Sequence, residues 1–201
     1  VFVSFTSSES VQLPTVFIGG LSTTVTGEGS YWTAAREMDA GDTDGDVSFA
    51  IDYMDMAGNE GIQDTETTDF SNVRFDNTPP TLTSVSIESD NYYDSTLAKV
   101  ADEVVISFLT SEIVQAPVVT IDGDTAYVAG GDSVWTAVLT MAETNTEGDL
   151  ASTIDYMDLV GNNGTRGTST TDGSGITFDR TLPVLSSIVI ESDNFYDVSL
   201  A

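Results

Sequence analysis

The 201-residue chain contains no cysteine and no histidine. Those absences remove zinc sites of the usual kind, thiol nucleophiles and any Ser-His-Asp arrangement. They leave no disulfide framework either, although a lack of cysteine alone decides no compartment. Positive charge is scarce: five Lys+Arg stand against 33 Asp+Glu, for a formal net charge of −28. Nucleic acid requires a basic footprint, so nucleic-acid partners are excluded, as is docking on an anionic membrane. No apolar run approaches the roughly 20 residues of a spanning helix, so direct membrane insertion is not expected. The opening VFVSF has no Met and no charged n-region of a signal peptide, and the chain reads as an excerpt from something longer. An acidic excess of this size fits either cation binding or a strongly hydrated surface kept soluble by its charge.

What the chain does have is a repeat. Slid against itself by 103 residues, VSFTSSESVQLPTVFIGG from Val3 falls on ISFLTSEIVQAPVVTIDG from Ile106. Trp32-Thr33-Ala34 falls on Trp135-Thr136-Ala137, Ile51–Gly61 (IDYMDMAGNEG) on Ile154–Gly164 (IDYMDLVGNNG), and Phe75-Asp76 on Phe178-Asp179. About half of the 98 alignable positions are identical, and no gap is needed. A period near 100 is too long for a solenoid and suits one β-sandwich domain per repeat.

Within a repeat the apolar residues alternate. Val104, Ile106 and Phe108 do so, as do Trp135, Ala137, Leu139 and Met141, then Ile154 and Tyr156. This period of two marks strands with one face inward, and no segment carries a 3.6-residue period. Turn clusters such as Asp122-Gly123-Asp124 and Gly161-Asn162-Asn163-Gly164 separate them. The pattern predicts an all-β chain with about seven strands per repeat: A near 82–88, B near 103–110, C near 117–122, D near 125–129, E near 133–141, F near 149–157 and G near 174–179. Seven short strands in about 100 residues imply tandem antiparallel β-sandwiches of immunoglobulin-like topology. The Trp on E and the Tyr on F are read as core residues.

Strand B ending in F-x-x-S-E, then P-x-V-x-I-x-G, a lone W-T-A, an acidic G-D before strand F, D-x-x-G-N after it and F-D-x-T-x-P at the exit occur in that order in each copy. In order and spacing these motifs resemble the bacterial Ig-like tandem repeats of large extracellular surface and adhesin proteins. The resemblance implies a cell-surface location and long stalks of sandwiches, often rigidified by calcium at the junctions. It also implies that the adhesive or enzymatic part lies elsewhere in the parent chain.

With Thr78-Pro79-Pro80 and Thr181-Leu182-Pro183 as boundaries, residues 81–182 form the complete repeat. Residues 1–80 lack their first strand, and 183–201 supply the first strand and A–B loop of a following repeat. The chain is then either a window on a long tandem array or a subunit whose orphan strand completes the next copy. Its partners are accordingly neighbouring repeats of the same chain or identical subunits joined head to tail, with a surface glycan or protein ligand open.

In an immunoglobulin sandwich the A–B, C–D and E–F loops and the end of G share one pole, and the B–C, D–E and F–G loops share the other. At the joint near Pro79, the first repeat would therefore offer Asp42, Asp44, Asp46 and Asp76. The second would offer Glu112 and Asp158. Asn145, Glu147, Asp149 and Asp179, with Glu9 and Asp55, occupy the same positions one repeat away. These are oxygen ligands of the kind Ca²⁺ takes, six to eight at about 2.3–2.6 Å. Asp42-Thr43-Asp44-Gly45-Asp46 also opens like an EF-hand loop, but its twelfth position is Tyr53 where that loop needs Glu, and no helices flank it. The same residues equally suit polar turns. The A–B loop, with Glu88, Asp90, Asn91 and Asp94, either adds ligands or simply turns the chain.

Function is expected to be structural, giving reach and stiffness, with a filament subunit or an adhesive ligand-binding module as the alternatives. Catalysis is not expected. Asp52 and Asp55 lie three apart on a strand and face opposite sides, and a catalytic site has no need to recur every period.

Overall fold

The structure is a computed structural model that describes residues 1–192 and Phe195. The second copy of the A–B loop, with Asp193, Asn194 and Asp197, lies outside the described residues. The described chain is all-β and contains no helix. It divides into two compact units, Val1–Pro79 with Val160–Asn162, and Pro80–Leu159 with Asn163–Ala201.

The first unit carries β1 (Phe2–Thr6), β2 (Thr15–Ile18), β3 (Leu21–Ser22), β4 (Thr24–Glu28), β5 (Tyr31–Ala35), β6 (Gly45–Asp46), β7 (Phe49–Asp52) and β8 (Arg74–Phe75). They pair antiparallel in the orders β1-β5-β4, β3-β2-β7 and β6-β8. Alternation places Val16, Ile18, Ala34 and Ile51 inside, with Val3, Phe5, Val25 and Phe49 half-buried against them.

The second unit carries β9 (Leu82–Ser89), β10 (Leu97–Ala98), β11 (Glu103–Thr110), β12 (Val118–Ile121), β13 (Asp124–Thr125), β14 (Tyr127–Gly131), β15 (Val134–Thr140), β16 (Gly148–Asp149), β17 (Ser152–Asp155) and β18 (Thr177–Phe178). Its sheets run β14-β15-β11-β9, β13-β12-β17 and β10-β18-β16, antiparallel except for β10 beside β18. Its core is larger: Val104, Ile106, Phe108, Trp135, Ala137, Met141, Ile154, Tyr156 and Phe178 are all buried. The reason is visible in the register. β11 has β15 on one edge and β9 on the other, with Phe108 facing Trp135 and Val85. β1 has only β5, with Phe5 facing Trp32.

Strand D divides between β13 and β14 in different sheets, β10 is an added strand, and three further elements differ from the sequence expectation. Strand F is two pieces, because the chain changes partner in its middle: Leu150 donates to Ile176 and Ala151 accepts from Asp122. β16 therefore pairs with β18, and β17 with β12. Strand G shortens to Thr177–Phe178, since Asp172 folds the preceding chain through bonds from the Ser174 amide and hydroxyl. Third, residues 184–192 repeat the sequence of β9 but form no strand. A strand needs a neighbour for its backbone groups, and among the described residues this segment joins none of the sheets.

Candidate metal-ligand sites

The acidic loops do local work first. In the first unit Asp44 grips the chain that leaves β8. Its carboxylate accepts the Asn77 amide at 2.8 Å and the Thr78 hydroxyl, while Asp76 accepts the Thr78 amide at 3.1 Å. One repeat on, Glu147 accepts the Arg180 amide at 3.0 Å and the Thr181 hydroxyl at 2.8 Å, and Asp179 accepts the Thr181 amide at 2.8 Å. Each pair of carboxylates thus converges on the threonine just past its exit strand. A charged acceptor makes the stronger hydrogen bond, which explains why both copies keep an acid at each position.

The other members of the E–F loops point elsewhere. Asp42 pairs with Arg36 at 2.6 Å, both side chains about nine-tenths buried. Its twin Asn145 is buried too, and donates to Asp124 at 2.9 Å and Asp122 at 3.3 Å. Arg36 itself is replaced by Leu139 in the second copy, so acid and base were exchanged together. That joint change accounts for Asp becoming Asn at this position. Asp46 is exposed on β6, and Asp149 takes the Thr177 hydroxyl at 2.7 Å. The A–B loop turns the chain: Asp90 accepts the Glu103 amide, Asn91 the Tyr93 and Asp94 amides, and Asp94 the Thr96 amide.

The phrases at Ile51 and Ile154 resolve into a scaffold. Asp55 accepts from the amides of Ala57 and Asn59 at 2.8 Å each and from the Asn59 side chain at 2.7 Å, shaping the turn at Gly58. Gln12 donates to the Asp55 carbonyl at 2.9 Å, and Gln115 to the Asp158 carbonyl at 2.8 Å. These glutamines tie the B–C loop to the end of strand F, a role that sequence reading missed although the Gln recurs at the same position. It missed the second glycine of each phrase as well. A Cβ on Gly61 would collide with the Tyr53 ring, and one on Gly164 with the Tyr156 ring. Asp52 and Asp155 are also engaged, with Gln63 at 2.8 Å and with Arg166 at 2.7 and 2.8 Å.

Within the second unit, two of the expected ligands come together. Carboxylate oxygens of Glu112 and Asp158 lie within 4.8 Å of each other, Glu112 half-buried and Asp158 only 2 % exposed. The bridge between Val114 and Asp158 and the Gln115 clamp set that approach. In the first unit Glu9 is exposed and Asp55 half-buried.

Several of these acids are held in their charged form. Bonds from Thr78 and Asn77 lower the Asp44 pKa, and bonds from Thr181 and the Arg180 amide lower that of Glu147. The Asp39 amide and Arg36 lower Asp42. A lowered folded-state pKa adds stability that is full above the ordinary carboxylate value of about 4 and is lost as pH falls through the lowered one. Urea midpoints should hold steady from neutral pH to about pH 5 and fall below about pH 4. Asp44→Asn should flatten part of that fall. The same acid slope in the variant would contradict the clamp.

No family model matches this sequence, and no curated protein matches it. Among solved structures the chain is similar to the Bacteroides ovatus mixed-linkage glucan utilization locus SGBP-B in complex with mixed-linkage heptasaccharide. The identity is 16 % and the TM-score 0.26, over 90 % of this chain and 42 % of that one. The chain spans under half the length of that structure, and a likeness of this depth carries neither fold nor ligand across.

Proposed function

We propose that this chain is a structural repeat segment of an extracellular bacterial stalk, fibre or surface adhesin. It is built from immunoglobulin-like β-sandwiches and supplies reach and stiffness instead of turnover. The observation that carries this reading is the gapless 103-residue repeat, whose copies are separated by a short Thr-Pro-Pro linker. Proline removes a donor and restricts the backbone, so such a linker favours a stiff connection over a flexible one.

Calcium is the proposed stiffening agent at the joint. Support comes from Glu112 and Asp158, which hold carboxylate oxygens of the kind Ca²⁺ takes within 4.8 Å of each other in the second unit. Binding would add stability by mass action, about 2.7 kcal/mol when free calcium exceeds its dissociation constant a hundredfold. For a unit of about 100 residues that is a rise in Tm of roughly 10–20 °C. Calorimetric melting of the whole chain in calcium and in EDTA should show it. The double variant Glu112→Gln/Asp158→Asn should melt at the same temperature in both. An EDTA-insensitive wild type removes calcium from the proposal and leaves the structural repeat.

A further inference from the structure

The sheet β14-β15-β11-β9 of the second unit has one wet face. Trp135, Ala137, Ile106, Phe108, Val85 and Ile87 point into the core, so the residues between them point out. Register sets the outward residues of β15 and β11 in rows: Val134 beside Leu109, Thr136 beside Ser107, and Val138 beside Val105. On β9 the middle row continues with Ser86, and on β14 Tyr127 flanks Val138. None of these residues is charged, and Leu109, Val134 and Tyr127 are 40, 59 and 76 % exposed. Carboxylates enter the face at one end alone, as Glu88 on β9 and Glu103 on β11.

Such a face matters in a chain with a formal net charge of −28. Copies of it repel, and they can touch without setting carboxylate on carboxylate only where carboxylates are missing. The outer side of β12 and β17 does not qualify, since it carries the Asp155–Arg166 pair. The first unit keeps the same uncharged centre: Ser4 and Thr33 replace Ser107 and Thr136 and share a hydrogen bond at 3.2 Å. Around that centre the residues vary, with Thr6 for Leu109 and Tyr31 for Val134. A basic partner would be drawn to the acidic loops instead, and a sugar would find on this face a single aromatic ring, Tyr127, at its corner. A second copy of the chain is the occupant that the charge distribution favours.

We propose that the outer face of β14-β15-β11-β9 packs against the same face of a second copy, as an isologous sheet-on-sheet pair. The two-fold axis crosses the strands at the middle row, so Thr136 of one copy meets Thr136 of the other. The end bearing Glu88 and Glu103 then lies over the Val134–Leu109 end of the other copy. An axis along the strands would stack glutamate on glutamate, and like charges face to face are costly. Small Ser and Thr side chains at the centre let the sheets approach to the spacing of about 10 Å that packed sheets adopt. Strands about 4.8 Å apart and about seven residues long make a face of roughly 19 by 23 Å, so the pair buries about 900 Å² in all. That is less than the roughly 1,200 Å² of a stable interface, so the pairing is transient. The contact uses the second unit's own sheet and requires neither calcium nor a surface location.

The test uses the full chain in EDTA. Its mass by sedimentation equilibrium should rise toward that of a dimer at millimolar concentration. The rise should be larger in about 0.5 M sodium chloride, where the Debye length is roughly 4 Å and repulsion between copies is screened. Thr136→Glu and Thr136→Lys each set like charges together at the axis, so each should weaken association more than about tenfold. An equimolar mixture of the two variants should associate again, because Glu then meets Lys. That rescue separates a broken contact from a damaged fold. A wild type that stays monomeric in high salt overturns the proposal. So does association that persists in either variant, or a mixture no heavier than its components.

Discussion

Phe108→Ala should destabilise the second unit by about 3–5 kcal/mol, the range for emptying a well-packed aromatic site. Phe5→Ala, its twin, should cost the first unit no more than about 2 kcal/mol in a monomeric chain, because less apolar area is lost. Phe108 is 2 % exposed and sits between Trp135 on one neighbouring strand and Val85 on the other. Phe5 has Trp32 on one side and no paired strand on the other, and it is only half-buried. The chain has two tryptophans, one in each unit, so Trp32→Phe and Trp135→Phe backgrounds let fluorescence follow each unit in turn through a urea titration. Separate readouts matter because two units need not unfold as one. Equal losses at the two positions would show that β1 is as fully enclosed as β11.

The second large effect belongs to a glycine. Gly130 on β14 has φ +138°, a conformation L side chains rarely adopt. A Cβ there would collide with the Val134 carbonyl oxygen and stand 2.9 Å from the Trp135 Cα and 3.1 Å from its ring. Strain of that kind costs about 1–3 kcal/mol before the collision is counted, so Gly130→Ala should cost about 3 kcal/mol or more. Its neighbour Gly131 has open space around it and serves as the control, with a change within about 0.5 kcal/mol. Gly27, at φ +142° beneath Trp32, should behave like Gly130. Comparable midpoints for the two alanine variants, measured by the same titration, would contradict this. The close approach also fixes what the tryptophans do. Each is 8 % exposed, with its indole N–H given to a backbone carbonyl at 3.2 Å.

Much of this was legible from periodicity. Ile106, Phe108, Trp135 and Ala137 alternate in sequence and are buried in the structure, because a pleated strand with one wet face leaves no other way to arrange them. Strand F was not legible as two pieces, since the switch of partner at Leu150–Ala151 is made by backbone groups that no side-chain pattern reports. For the acidic loops, residue type reveals an oxygen but not its direction. Asp44 and Glu147 grip the exit of their own repeat, Asp42 turns to Arg36, and Asn145 turns to Asp122 and Asp124. The signal that separates them was present as a linked exchange: Arg36 with Asp42 in one copy, Leu139 with Asn145 in the other. An ion pair that loses one member must lose or repurpose the other.

The central proposal is a repeat whose joint is stiffened by calcium, and small-angle scattering of the whole chain in calcium and then in EDTA tests it most directly. The expected result is a well-defined set of interatomic distances in calcium that broadens when calcium is withdrawn, with magnesium at the same concentration unable to restore it. Superimposable curves in calcium and EDTA would contradict it.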